Sequence, residues 1–486
     1  MRWKPLVLIR AIPLSLLIAS FCLVASANPV GWQPLARSTT YITMATGWNY
    51  SVVDVGLWNA MVDMHLDSQN TPFVSYYPVG EVKMAEKEDD TWRVARIAET
   101  NVGGASLDLS IDSRDNPHVF YDHDIVIRHA MRTASGWNYY GAIDPSRTND
   151  ARPSSVMLDS DNGYLVYISE KVGSRNLRFG ILENGSWSWV DVANLDRQDY
   201  LNPMKVSVAL DSVGRLHVAY YDDRENELDY LRWTENGWVM ERITSSDSGK
   251  LGWMPSLDVG PDDEPKVAFG DGMAKNLNIA ERFEGSWAIS IVDSEGVVGG
   301  SPSLSIDLTG SPHIAYEDYS NSSIKHAVRV GDTWQIETIY DDNSLGAKWP
   351  SLDLDSCGYP HIAFYVFSDE TVRYASQGIP CPRPEPQAVS LNIDPDTLNL
   401  KSRGRWITAY LSTENASLYD IDISSIRLQD TLEAERYDYQ DDILMLKFSR
   451  QEFKDTVQVG ESEQVKITGK WDDGSEFEAY DHIMVI

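Results

Sequence analysis

Between positions 118 and 129 the chain carries His118, Tyr121, Asp122, His123, Arg128 and His129. Histidine and tyrosine can move a proton and arginine can neutralise a carboxylate, so such a set would suit proton abstraction beside a uronate. His123, Arg128, His129 and Tyr121 are therefore the candidate catalytic residues, and the reaction would be that of a polysaccharide lyase or glycoside hydrolase on acidic polysaccharide. Strand alternation argues against their convergence, because neighbours in sequence point to opposite faces. His118 also has counterparts in His217, His313 and His361. A ring of equivalent histidines suits structure better than a single asymmetric catalytic site.

A second set suits binding. Trp58, Arg147, Arg152, Tyr200, Trp253 and Trp349 precede strand-like runs, and Asp122, His123, Asp222, Asp223, Asp271 and Asp318 follow others. Aromatic faces stack on sugar rings and carboxylates accept from their hydroxyls. Trp253, Trp349, Asp122, Asp222, Asp271 and Asp318 are the candidate binding residues, for a glycan or an extracellular protein. The four aspartates occupy equivalent positions, so turn capping is the competing account. Asp353-x-Asp355 and Asp159-Ser160-Asp161 share features with calcium loops but lack the downstream Glu. No metal site or cofactor is expected, with Ca2+ left open as a bridging ion. Phosphate-cradling glycine loops, zinc spacings and nucleophile elbows are not apparent.

These residues ride on a repeat. The stretch Pro350 to Tyr365, PSLDLDSCGYPHIAFY, has its Asp355 matched by Asp67, Asp112, Asp159, Asp211, Gly260 and Asp307, at spacings of 45, 47, 52, 49, 47 and 48 residues. Such a period marks propeller blades or stacked repeats. Each copy reads as four strands. The first has apolar residues one and three before the Asp, and Asp63, Asp108, Ser155, Ser207, Ser256, Ser303 or Ser351 four before it. Short polar side chains there suit a strand crowded near a central axis. A polar turn leads to a second strand such as His217 to Tyr221, and the fourth carries a Trp after a turn, as at Trp92 and Trp137. The seventh copy lacks a fourth strand, whereas Thr46 to Val53 has that pattern before any first strand. A closed ring whose last blade borrows a strand from the chain's start accounts for both. The expected fold is all-β: a seven-bladed β-propeller with a composite last blade, over residues 28–380. Thr40 to Ala45 also looks like a third strand, one more than seven blades need. A capped linear solenoid is the alternative.

The unit S-L-x-x-D-S-x-G-x-P-H-I-A-Y-Y-D resembles the repeat of secreted bacterial and archaeal β-propellers of the sialidase-like and BNR-like group. That resemblance implies the fold and an exported location, but the group includes sialidases, polysaccharide lyases and lectin-like propellers. The Asp-box S-x-D-x-G-x-T-W and a matching arginine triad are not seen, so sialidase activity is not implied.

Arg2, Lys4 and Arg10, an apolar run from Ala11 to Val24, and Ala25-Ser26-Ala27 read as a signal peptide over residues 1–27. A lipoprotein reading through Cys22 is disfavoured by Phe21. Cleavage removes three basic residues from a chain at net −32, leaving −35. That charge repels nucleic acid and anionic membranes. No membrane span is expected after cleavage, and the protein is expected to be a secreted or cell-surface monomer. Cys357 and Cys381 could pair in an oxidising compartment. Residues 381–387 are a Pro-rich linker. Residues 388–486 read as a β-sandwich, and SLNIDPDTLNLKSRGRWITAYL, DIDISSIRL and ITGKWDDGSEFEAYD resemble an immunoglobulin-like domain of exported proteins. The function expected overall is non-catalytic recognition at the propeller mouth, with the enzyme and a structural matrix component as alternatives.

Overall fold

The computed structural model describes residues 43–44, 47–100, 106–123, 126–133, 136–144, 148–171, 174–195, 205–222, 225, 227–234, 236–245, 251–272, 275–341, 346–378, 389–413, 418, 421–440, 443–471 and 476–486. The expected signal peptide, the linker 381–387, Arg147, Tyr200, Asp223 and Cys381 lie outside them.

Seven antiparallel sheets correspond to the seven copies of the repeat. Their first strands are Met61–Leu66, Leu107–Ile111, Thr148–Met157, Val206–Leu210, Leu251–Val259, Val298–Ile306 and Ala347–Leu354. Each of these neighbours the next, and the last neighbours the first, so the ring is closed. Apolar packing repeats the same closure. Phe73, Tyr77 and Met84 of the first copy share a core with Leu109, Val119 and Tyr121 of the second. Tyr365, Val372 and Tyr374 of the last share one with Val62, Met64 and Tyr76 of the first. The second strands are buried on both faces because a neighbouring sheet covers each side, which is why they read as near-continuous apolar runs.

Trp48–Val55 supplies the missing fourth strand, pairing with Thr371–Gln377 from Trp48 opposite Gln377 to Val55 opposite Thr371. The surplus segment also finds its place. Thr43–Met44 adds a fifth strand to the sixth sheet, against the outer edge of Thr333–Asp341.

The short polar residues four before the repeat Asp staple neighbouring first strands together. Asp63 Oδ2 accepts from the Leu109 N–H at 2.8 Å, and Asp108 Oδ2 from the Ser155 N–H at 2.9 Å. Ser154 Oγ, one residue off the pattern, accepts from Val208 N–H at 3.2 Å. Ser207, Ser256 and Ser303 accept from the N–H groups of Leu257, Leu304 and Leu352 at 2.9, 3.0 and 3.0 Å. Ser351 completes the circuit on Met64 N–H at 3.0 Å and donates to Asp63 Oδ1 at 2.8 Å. Innermost strands that splay apart cannot satisfy one another by ladder bonds, and a short side-chain acceptor fills the gap.

The repeat Asp itself caps the hairpin. Asp355 Oδ1 accepts from the N–H groups of Cys357 and Tyr359 at 2.9 and 2.8 Å, and Asp307, Asp211, Asp112 and Asp67 do the same two and four residues on. Where Gly260 replaces it, Asp262 Oδ1 takes over one bond, from Glu264 N–H at 3.2 Å. Cys357, in this turn, is disulfide-bonded.

After the seventh copy, two sheets enclose a separate apolar core that includes Ile407, Leu446, Phe448, Val465 and Ile467. One contains Val389–Asp394, Trp406–Thr413, Ile443–Ser449 and Arg436–Gln440; the other is built on Ile421–Leu428, Gly460–Trp471 and Glu476–Val485. This pair of sheets also includes the strand Arg436–Gln440 and the one-turn helix Arg450–Lys454, which lie outside the segments that carried the immunoglobulin-like resemblance. The strand RYDYQ is short, and charge interrupts its alternation.

Candidate functional site

The seven first strands surround an axial cavity of about 440 Å3. At one end its lining is Met61, Ser106, Pro153, Lys205, Met254, Ser301 and Trp349, each six residues before the repeat Asp or its Gly260 counterpart. Met254, Ser301 and Trp349, in three consecutive sheets, have left-handed backbones with φ of 53°, 42° and 52°. Non-glycine residues rarely adopt this conformation, and it persists only where the surroundings enforce it. At Trp349 the enforcement is visible. Glu317, buried in the adjacent sheet, accepts from the Trp349 N–H at 2.9 Å and from Lys348 Nζ at 3.0 Å. Lys348 Nζ also sits 4.0 Å from the Tyr319 ring centroid. The indole packs against Tyr365 and Phe367, with centroids at 6.1 and 5.7 Å. Lys205 reaches from the fourth sheet to the Pro302 carbonyl of the sixth, 3.3 Å from Nζ.

The other end of the cavity holds charge. His65 Nδ1 lies 3.4 Å from Asp353 Oδ2, its side chain 44% exposed to the cavity. Burial works against the His65 charge, but Asp353, Asp63 and Asp108 together push its pKa up to about 9. Burial and the Asp63 charge hold Asp108 well above the usual carboxylate range, and burial takes Asp258 to about 6. The acids are committed to backbone: Asp353 Oδ2 accepts from Leu66 N–H at 2.9 Å and Asp258 Oδ2 from Ile306 N–H at 2.8 Å.

The candidate catalytic residues are placed apart. His129 is buried with its ring between Phe120 and Tyr140, centroids at 4.4 and 4.7 Å. Its Nε2 is 3.0 Å from His118 Nδ1, and His118 Nε2 is 3.2 Å from Asp112 Oδ2. Burial, then the neighbouring His118, holds His129 well below the usual histidine range, so it is neutral. With His118 donating to the carboxylate, His129 donates to His118. Tyr121 is buried in the opposite core, with Tyr77 and Val119. Arg128 stands opposite it in the ladder, and His123 Nε2 lies 2.9 Å from the Glu99 carbonyl. None of the four lines the axial cavity.

His129 also has counterparts. His326 Nε2 is 3.2 Å from His313 Nδ1, Tyr230 Oη is 2.6 Å from His217 Nδ1, and Tyr374 Oη bonds His361 Nδ1. Four copies thus buttress the repeat histidine with a His or Tyr on the third strand. The spacing is 13 residues in three copies and 11 in the second.

Of the candidate binding residues, Trp349 lines the mouth, while Trp253 precedes the lining Met254. Asp122 Oδ1 accepts from the N–H of the lining residue Ser106 at 3.1 Å. Asp318 is buried, bonding Asn321 N–H at 3.1 Å and Lys325 Nζ at 3.0 Å. Asp222 is buried at the end of Leu216–Asp222, and Asp271 is half-buried at the end of Pro265–Asp271. Trp58 is 66% exposed in the loop before the first copy, and Arg152 falls in Thr148–Met157. Glu317 and Lys205 were not singled out from sequence. Glu317 stands one residue before Asp318, and only its contact with the backbone of Trp349 reveals it. Among the described residues, no group of three His, Cys, Asp or Glu side chains is arranged to hold a metal ion, and no helix is long and apolar enough to cross a membrane.

No protein-family model and no curated protein matches the chain. The solved structures that it resembles are β-propellers. They include an ulvan lyase of a polysaccharide lyase family (TM-score 0.48, 12% identity, 67% of this chain and 95% of that one). YCF48 bound to D1 peptide gives 0.46 at 12% identity, covering 71% and 100%. The fucose-specific lectin from Aleuria aurantia gives 0.42 at 12%, covering 60% and 99%. Identities of 12% with TM-scores below 0.5 assign nothing further to this chain.

Proposed function

We propose that the protein is an exported or cell-surface recognition protein that seats its ligand at the mouth of the axial cavity, without transforming it. The observation that carries this reading is the mouth ring itself. It combines the Trp349 indole, two methionine side chains, two serine hydroxyls and the Lys205 ammonium in one concave surface. A flat apolar face beside a few polar groups is the composition that a sugar ring calls for, which makes a glycan the ligand class. The acids that could serve catalysis instead accept from backbone N–H groups, and the candidate proton movers do not share a surface. The disulfide at Cys357 supports an oxidising compartment. We assign residues 28–380 to the propeller, and residues 388–486 to a sandwich module used in anchoring or presentation.

A glycan array probed with residues 28–486, with and without calcium, tests the reading. Binding is expected, with Trp349→Ala weakening it about tenfold or more, as loss of a stacking aromatic should. Cleavage products from any bound glycan would replace recognition by catalysis, and wild-type binding by Trp349→Ala would move the ligand off the mouth.

A further inference from the structure

In a chain with 41 Lys plus Arg against 73 Asp plus Glu, most cations should find a carboxylate. One surface departs from that. On the outer face of the sheet containing Trp406–Thr413, the Trp406 ring centroid lies 4.5 Å from the Arg405 guanidinium and 5.5 Å from that of Arg436. Lys447 stands opposite Arg436 in the ladder. It lies between core residues Leu446 and Phe448, so strand alternation turns it outward. Exposed Lys401 and Arg403 precede Arg405.

The loop carrying these residues is fixed from below. Arg450 Nε donates to the Trp406 carbonyl at 2.9 Å, and its Nη1 to Ser402 Oγ at 3.2 Å. Lys454 Nζ donates to the Ser402 carbonyl at 2.6 Å. Arg450 packs so closely on Gly404 that a Cβ there would come within 2.8 Å of its Nε. Among the described residues, none of Lys401, Arg403, Arg405, Arg436 and Lys447 forms an ion pair. Like charges directly opposite on a ladder are destabilising, so folding gains nothing from setting Arg436 against Lys447.

We propose that this face docks an acidic polysaccharide through its carboxylate or sulfate groups. Guanidinium forks match the planar geometry of carboxylates and the tripod of sulfates, and donate charge-assisted hydrogen bonds to their oxygens. Trp406 holds two such forks before any ligand arrives, which reduces the ordering cost of binding. An extended polymer presents repeated charges to a row of cations while touching little else. A second copy of the chain, at net −32, would bring its whole acidic surface close, whereas a thin polymer brings its charges to the cation row alone. The site is separate from the axial mouth and does not depend on how that mouth is read.

The test uses residues 28–486 in affinity electrophoresis through gels containing polygalacturonate, dextran sulfate or neutral dextran. Retardation by an anionic polymer but not by neutral dextran is expected. The double variant Arg405→Gln/Arg436→Gln should weaken it about tenfold or more, while the relieved repulsion with Lys447 and the lost contacts with Trp406 offset each other and leave the melting temperature within about two degrees of the wild type. Lys447→Gln, whose side chain straps nothing, should weaken it about threefold. Trp349→Ala should leave it intact. No retardation by either polyanion would overturn the proposal, as would wild-type retardation of both sets of charge variants. A dimer in size-exclusion light scattering that the double variant abolishes would assign the face to a second copy, and would also overturn it.

Discussion

Charge is handled in opposite ways at the axis and on the outer face of the C-terminal sheet. Around the axis, Asp63, Asp108, Asp258 and Asp353 are half-buried, and each accepts from the backbone of a neighbouring strand. On the outer sheet, Arg405, Arg436 and Lys447 sit at the surface with no carboxylate taken up among the described residues. A partly buried carboxylate that accepts from backbone N–H groups ties neighbouring strands together, whereas an unpaired surface cation is left to solvent. Position in the repeat does not separate these cases; the destination of each polar atom does.

The contrast is broken most severely at Asp63. Asp63→Ala leaves Leu109 N–H and Ser351 Oγ without their acceptor in a half-buried ring, and should cost about 2–3 kcal/mol in urea unfolding. Ser256→Ala removes a single acceptor and should cost about 1 kcal/mol. If both were neutral, the ring would be incidental to closure.

Next in size is the buried histidine pair of the second copy. His129→Phe preserves the stack between Phe120 and Tyr140 but removes the donor to His118, at a cost of about 1–2 kcal/mol. Glycan binding should be unchanged. A loss of ligand affinity beyond the loss of stability would return this cluster to the functional site.

His65 separates buried from half-exposed charge. Its pKa is raised by Asp353, Asp63 and Asp108, so the protonated imidazole stabilises the fold fully below the ordinary histidine pKa. That contribution is lost as pH rises towards about 9. Water in the cavity screens the pair, and the effect should not exceed about 1 kcal/mol. Melting temperature between pH 6 and 10 should therefore fall more steeply for the wild type than for His65→Gln, and parallel curves would remove the clasp.

Much of this fold is legible in the chain, because a repeat states its pattern seven times. The alternation in Ser351 to Leu354, the turn at Asp355 and the Trp after each outer turn fix strand order, and the stray pattern at Trp48 discloses the closing strand. The role of His129 was also written there, as a His or Tyr 13 residues after the repeat histidine. A shorter loop in the second copy reduces that spacing to 11 and hides the match. Glu317 and Lys205 left no such trace. Each acts on a residue distant in the chain, Glu317 on the backbone of Trp349 and Lys205 on the carbonyl of Pro302, and only closure of the ring brings them there. The cation face is unreadable for a related reason: Arg405, Arg436 and Lys447 belong to three segments that the sheet alone assembles.

The smallest expected effect is the most discriminating. Lys447→Thr removes one of two like charges facing each other across the ladder and leaves the contact of Arg436 with Trp406 in place. A β-branched residue also suits an exposed strand position. Stability should rise by about 0.5 kcal/mol at low ionic strength. The gain should shrink at 1 M salt, where charges on the surface no longer feel one another. Polyanion binding should weaken in the same variant. At the axis, by contrast, removing an acceptor such as Asp63 lowers stability at any salt concentration, because it leaves a backbone N–H group without its partner. A variant that gains stability while losing affinity would separate the two regions by experiment. One that loses stability would mean that Lys447 answers to the fold after all.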